Sequence, residues 1–494
     1  MLNGKRLIVY ELNEVPIKIF NWFVQRNSNG SNVASLMRNG RIINTITEDS
    51  GHLSPWITWP TMHRGVTNAN HGIFDFGQNL KFINQDYPPI WEFLAKGGLR
   101  VGMFGSLHTY PLPSDLDNYA FYVPDTFAAG PECFPDKFTA FQEFNLRMVD
   151  QSARNVSRGL PLRDAGRFLV AAPGLGLRAK TAVKLAGQLA SEQANSARVV
   201  RRRTSQVQIA FDFFLKELKQ TTPDAAFFFT NHVASSMHRF WPATFPKDYP
   251  NQFWGEHWAS TWSGEIPFAM DEADAQIGDL MSFVEADRRY ALIVATSMGQ
   301  AAVEEVNDYL KRQLNFGDVK SFMRMLGIAD EDWYQQRAMV PIFTVVVKES
   351  LSNMMADRLS SVRVNDQAIS YENRGHGVFS FWLGHHNLET HEIRVRYNDQ
   401  PVSLKTAGLI NMNIQDEADT NAYHVPEGCL FVYDPEVKPK PSSASKTLVS
   451  TREFAPFILS NFDITRPAHM IEPESLSAYL SEFKPTSRDR IERK

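Results

Sequence analysis

Cysteine is almost absent from this chain: Cys133 and Cys429 are the only two in 494 residues. So few thiols exclude a disulfide framework and a thiolate zinc site. A surplus of one charge is also missing. The net charge of −4 gives no electrostatic reason to expect nucleic acid as a partner. Long hydrophobic runs are lacking too. The apolar stretches Ala225–Thr230 and Tyr290–Ala295 are far too short to span a bilayer. The start, Met1-Leu2-Asn3-Gly4-Lys5-Arg6, leads straight into the strand-like Leu7–Leu12, with no apolar signal core or cleavage site. These absences lead us to expect a soluble, reduced, cytoplasmic protein.

What is present is an ordinary globular composition, 43% hydrophobic and 21% charged, on a chain long enough for one elaborated domain or several. Short apolar runs read as strands buried on both faces: Leu7–Leu12, Arg100–Gly105, Ala225–Thr230, Tyr290–Ala295, Ile342–Val347 and Leu430–Tyr433. Helical patterns such as Ile90–Lys96, Gln206–Lys219 and Met270–Glu285 lie between them. Strands alternating with helices predict an α/β fold with a mostly parallel central sheet flanked by helices. We expect an α/β core over 1–354 with a helical excursion at 131–220, a small β-rich insertion at 355–403, and completion of the core by 404–494. The Pro/Ser/Lys stretch Val437–Lys446 reads as a loop. Within the excursion, Arg201-Arg202-Arg203 is either a phosphate-binding run or a solvated helix face.

In such sheets ligands bind beyond the carboxyl ends of the strands. Asn13 and Glu14 follow the first strand, and both carry oxygens that a cleft can use. Asn231 and His232 follow AAFFFT, with His238 six residues further on. Thr296-Ser297-Met298-Gly299-Gln300 follows YALIVA, and Tyr423-His424 precedes the last strand. Imidazoles beside carboxylates and amides suit zinc, iron or manganese. Pro55 and Pro60 mark a helix start, where free N–H groups attract anions. A hydroxyl there, Thr61 or Thr58, is a candidate nucleophile toward phosphorus, or else a plain cap. His63, close to Thr61 on the same helix, is a candidate general base or a packing residue.

In order, these segments resemble the alkaline phosphatase superfamily, in particular its type I phosphodiesterase/nucleotide pyrophosphatase branch. LIVYELNE is similar to the first strand with its metal-binding Asp, and TWPTMHRGVTNANHGIFDF to the nucleophile helix and the turn after it. FFFTNHVASSMHRFW resembles the segment with a D-x-x-x-H metal motif, and ALIVATSMGQ stands where the family has Ser-Asp-His-Gly. AYHVPEGCLFVYDP resembles the last metal histidine and its strand, and EFAPFILSNFDITRPAHM the C-terminal helix. The resemblance implies a sandwich with that family's sheet and a small-molecule phosphoester or related substrate.

It also implies site residues. His238 and His424 match two metal histidines, whereas Asn13 replaces the first-strand Asp, Ala234 the Asp of D-x-x-x-H, and Ser297-Met298 the Asp-His pair. Ala234, Ser297 and Met298 cannot neutralise a pair of dications. The expectation is one divalent metal, zinc or manganese, or none, held by His238 and His424 with Glu14, His232 or Asn231 filling gaps. Thr61 fits the nucleophile by its distance to Gly65, and Thr58 by the Thr-x-Pro form. Asn13, Asn231 and Ser297 would then contact substrate. Two functions follow: a phosphoester hydrolase or phosphoryl-type transferase with an altered site, or a non-catalytic member of the fold that binds a ligand or partner. A carbohydrate-binding role for the insertion would rest on Phe379, Phe381, Trp382, His385 and His386.

Overall fold

A computed structural model describes residues 2, 4–28, 30–75, 77–151, 172–250, 254–303, 310–338, 341–437 and 448–481. Eight strands form the central sheet: β1 (Arg6–Leu12), β2 (Arg41–Ile46), β3 (Val101–Phe104), β4 (Tyr119–Val123), β5 (Ala225–Thr230), β6 (Tyr290–Ala295), β7 (Glu427–Tyr433) and β8 (Val449–Ser450). Their spatial order is β8-β2-β7-β6-β1-β5-β3-β4. β7 runs antiparallel to both its neighbours, and the remaining pairings are parallel.

β1 lies in the interior of the sheet, and its alternation explains the layering. Ile8, Tyr10 and Leu12 enter one hydrophobic core, while Leu7 and Val9 enter the core on the other face. Helices cover both faces, among them Glu265–Ala286 and Arg202–Thr221 on the first and Ile90–Lys96 and Phe454–Asn461 on the second. The expected mixed α/β architecture is therefore present.

The run Ile342–Val347, expected in the parallel sheet, is placed elsewhere. Phe343–Val347 pairs antiparallel with Trp333–Gln336 and Val378–Trp382 in a separate sheet. A short buried apolar run reads the same in either kind of sheet, which is why periodicity misassigned it. Small antiparallel sheets reach beyond 355–403 on both sides, from Arg312–Phe316 to its partner Leu409–Asn413. They enclose a third core that includes Leu314, Phe322, Val345, Phe379 and Phe381. Phe379 and Phe381 are wholly buried there, so they are not a sugar-stacking surface. The loop residues 438–446 and part of the helical excursion, 152–171, lie outside the described residues.

Candidate metal centre

Three interior strands, β5, β1 and β6, run side by side and in parallel, so their carboxyl ends deliver polar residues to one edge. Asn13 and Glu14 leave β1, Asn231 leaves β5, and Ser297 leaves β6. His238 stands on the helix His232–Thr244 that follows β5. His424 lies on the strand Ala422–Val425, directly opposite Gln300 of the strand Gly299–Ala302.

These elements bring three side chains to one point. Oε2 of Glu14 lies 3.0 Å from Nε2 of His238 and 3.2 Å from Nε2 of His424. Each imidazole is oriented from behind. His238 donates from Nδ1 to the carbonyl of Ala422, and His424 from Nδ1 to the carbonyl of Leu53, both at 2.7 Å. With Nδ1 committed as a donor, a neutral ring turns the lone pair of Nε2 toward Glu14. Nε2 of His424 is buried and has no aligned hydrogen-bond partner. Two imidazole lone pairs facing a carboxylate oxygen need positive charge among them, from a proton or a cation. Ligands about 2.0 Å from a tetrahedral cation sit about 3.3 Å from one another, close to the separations seen here. The donor set therefore fits a divalent metal, and among the described residues it is the one group of this kind.

The electrostatics agree. Burial opposes ionisation of Glu14, yet His424 and His238 hold its carboxyl well below the usual range. Burial likewise opposes the charge on His424, and the Glu14 carboxylate still holds that imidazole above its usual value. Glu14 also has a backbone φ of 59°, in the left-handed region that non-glycine residues seldom occupy. Buried residues held in such conformations concentrate at functional sites.

A network of amides surrounds the carboxylate. Asn13 donates from Nδ2 to Oε1 of Glu14 at 2.6 Å and to Oδ1 of Asn231 at 2.8 Å. Trp59 donates from its indole to Oδ1 of Asn13 at 2.8 Å, tying the Pro55–Arg64 helix to the end of β1. Gln300 donates from Nε2 to Oε2 of Glu14. Gln300 was given no role from sequence, although it follows a strand as the assigned residues do, which was the signal available.

No family model matches the chain, and no curated protein does. In fold it is similar to the murine ectonucleotide pyrophosphatase/phosphodiesterase 5, at 10% identity and a TM-score of 0.41, covering 96% of this chain and 100% of that one. The human ectonucleotide pyrophosphatase/phosphodiesterase 5 is 10% identical, with a TM-score of 0.37, covering 94% and 96%. A phosphonoacetate hydrolase from Sinorhizobium meliloti 1021, in complex with phosphonoformate, is 12% identical, with a TM-score of 0.40, covering 93% and 96%.

The two candidate hydroxyls differ in their surroundings. Thr58 is the fourth residue of the Pro55–Arg64 helix, and both its N–H and its hydroxyl reach the carbonyl of the capping residue Ser54. Its Oγ1 lies 2.8 Å from Oγ of Ser297, and both residues are fully buried. Thr61 is one turn deeper. It donates to Oδ1 of Asp49 at 2.6 Å and meets Nε2 of His71 at 3.0 Å. Nδ1 of His71 accepts the N–H of Ile73, so Nε2 carries the proton and cannot take one from Thr61. Burial, with Arg64 and His108 nearby, pushes His71 down to about 3.

Two other candidates are not brought to the centre. His63 is wholly buried, with Nε2 2.6 Å from Oε1 of Glu11, and packs between Trp59 and Trp91. It belongs to the core beneath β1, out of reach of a general base's role at the sheet edge. His232 accepts from Thr230 at Nδ1 (2.6 Å) and donates from Nε2 to the carbonyl of Ala269 (3.0 Å), so neither nitrogen is left for a metal.

Proposed function

We propose that this chain is a phosphoester hydrolase, or a phosphoryl-type transferase, acting on a small molecule with one divalent cation. The observation that carries the proposal is the convergence of Glu14, His238 and His424, each imidazole fixed through Nδ1 by a backbone carbonyl. Carboxylate and imidazole donors suit zinc or manganese. When bound, such a cation supplies Lewis-acid polarisation of a phosphoryl oxygen. The ordered motifs from LIVYELNE to EFAPFILSNFDITRPAHM support phosphorus as the reacting element.

The chain's own residues then take separate parts. Asn13 and Gln300 hold the Glu14 carboxylate in place through their amide N–H groups. Thr58, rather than Thr61, is the hydroxyl suited to attack, because among the described residues the side chain it meets is the neutral Ser297, whereas Thr61 is tied to Asp49 and His71. Ser297, 2.8 Å away, is the group within reach to orient the Thr58 hydroxyl. A second reading rests on the burial of this pair: a protein that binds an anion without forming a bond to it has no need to expose Thr58. The two are separated by loading the protein with zinc or manganese and assaying p-nitrophenyl phosphate and bis(p-nitrophenyl) phosphate. Turnover that Thr58→Ala abolishes and Thr61→Ala spares supports the enzyme; bound metal with no turnover supports the binding protein.

A further inference from the structure

A cleft of about 980 Å³ opens between the carboxyl edge of β3 and β5 and the antiparallel sheets. One part of its wall is aromatic, with Phe104, Phe229, Phe316, Trp333 and Phe343 among the lining residues. It reaches the network of the centre at the exposed Asn231, whose Oδ1 accepts from Asn13.

Arg203 enters this cleft, and it differs from the two arginines before it. Arg201 grips Glu265 and Arg202 grips Glu192, each through two nitrogens. Arg203 donates from Nη1 to Oγ of Ser235 at 2.8 Å, and among the described residues no carboxylate lies within ion-pairing distance of it. The carboxylate whose field it feels, Asp416, is wholly buried and already paired with Arg239. Among the described residues the Arg203 guanidinium therefore stands in the cleft with no carboxylate in contact. Burial and the neighbouring Arg239 lower the Arg203 pKa to about 9, so it remains charged at neutral pH. Ser235 and His238 are three residues apart on one helix, hence neighbours on its surface, about 5 Å along the axis.

Resting on the phosphoester reading above, we propose that the cleft seats the non-reacting part of the substrate, and that this part combines an apolar ring or chain with a second anionic group held by Arg203. The anion is a carboxylate or a phosphate, since a guanidinium fork matches both. A substrate of this class places its phosphoryl group toward Glu14, His238 and His424 while its apolar body lies along the aromatic wall.

The test uses metal-loaded protein and inert probes, phenylphosphonate against 4-carboxyphenylphosphonate, titrated calorimetrically. We expect the carboxylated probe to bind at least tenfold tighter to wild type. Arg203→Ala and Arg203→Gln should both erase that preference while leaving phenylphosphonate within twofold, and Arg203→Lys should restore part of it. Replacing the carboxylate by a second phosphonate, in 1,4-phenylenediphosphonate, decides which anion is preferred. An unchanged preference in both variants, each melting as cooperatively as wild type, overturns the proposal. Terephthalate, which has no phosphorus, distinguishes the two ideas. Arg203-dependent terephthalate binding with no hydrolysis of any phosphoester keeps the anchor and removes the phosphoester reading. Hydrolysis of phenyl phosphate and 4-carboxyphenyl phosphate with equal kcat/KM in wild type and variants keeps that reading and removes the anchor.

Discussion

Acidification from pH 7 to pH 5 should cost this fold about 4–5 kcal/mol, because three buried histidines must stay neutral in it. His71 and His108 are pushed down to about 3 and His232 to about 4, in each case chiefly by burial. Their hydrogen bonds fit the neutral rings: His71 accepts from the N–H of Ile73, and His232 accepts from Thr230 and donates to Ala269. The sign follows from the unfolded chain, where each titrates near 6.5. Below that pH the unfolded state binds protons that the folded state refuses, so stability is full above 6.5 and falls with pH. All three titrate below pH 5 when folded, so each loses about 2 kcal/mol between pH 7 and pH 5, about 6 in all. Asp125 opposes this. Burial raises it to about 6, so its protonation on acidification adds about 1 kcal/mol to the folded state. His424, held above its usual value once Glu14 has overcome the effect of burial, opposes it in the same direction. Urea unfolding followed by tryptophan fluorescence and far-UV circular dichroism at pH 7, 6 and 5 measures the fall. His232→Gln should shrink it by about 2 kcal/mol. A fall below about 1 kcal/mol in wild type would refute the reasoning.

Other consequences concern the centre and the core beneath it. Glu14→Gly relieves a left-handed backbone but deletes a ligand and the partner of two imidazoles, so the metal-free unfolding midpoint should fall and the gain on adding metal should disappear. That gain is about 2.7 kcal/mol at one hundred times Kd, or about 2–3 °C for a chain of 494 residues melting as one unit. A metal-induced rise in melting temperature that survives in Glu14→Gly would remove Glu14 from the ligand set. Glu11→Ala leaves a buried nitrogen of His63 without its hydrogen-bond partner and should lower stability by about 1–3 kcal/mol in denaturant titrations while leaving metal content unchanged. Thr58→Ala should reduce phosphoester turnover at least 100-fold and Thr61→Ala should leave kcat within a few-fold; the reverse order would return the nucleophile to Thr61.

Much of the fold could be read from residue order because buried parallel strands are continuous apolar runs, as in Leu7–Leu12 and Tyr290–Ala295. Arg41–Ile46 escaped notice because two of its three buried positions are the polar Arg41 and Thr45, and Tyr119–Val123 because it holds two tyrosines in five residues. The candidate ligands were visible because they follow strands, and strand ends gather at one edge. What residue order cannot supply is orientation. Thr58 and Thr61 lie three apart on one helix, and only the fold reveals that one meets Ser297 and the other Asp49 and His71. His63 and His232 looked like chemistry in the sequence, yet tertiary packing uses both to satisfy buried hydrogen bonds. Arg201, Arg202 and Arg203 are identical letters in a row, and helical geometry sends them to three different partners.

The central claim is that Glu14, His238 and His424 hold one divalent cation. Its most direct test is the metal content of the folded protein after incubation with zinc or manganese and desalting, read by inductively coupled plasma mass spectrometry. The account predicts one ion per chain in wild type, and almost none in folded His238→Ala and His424→Ala. No ion retained in wild type, or the same content in all three proteins, would contradict it.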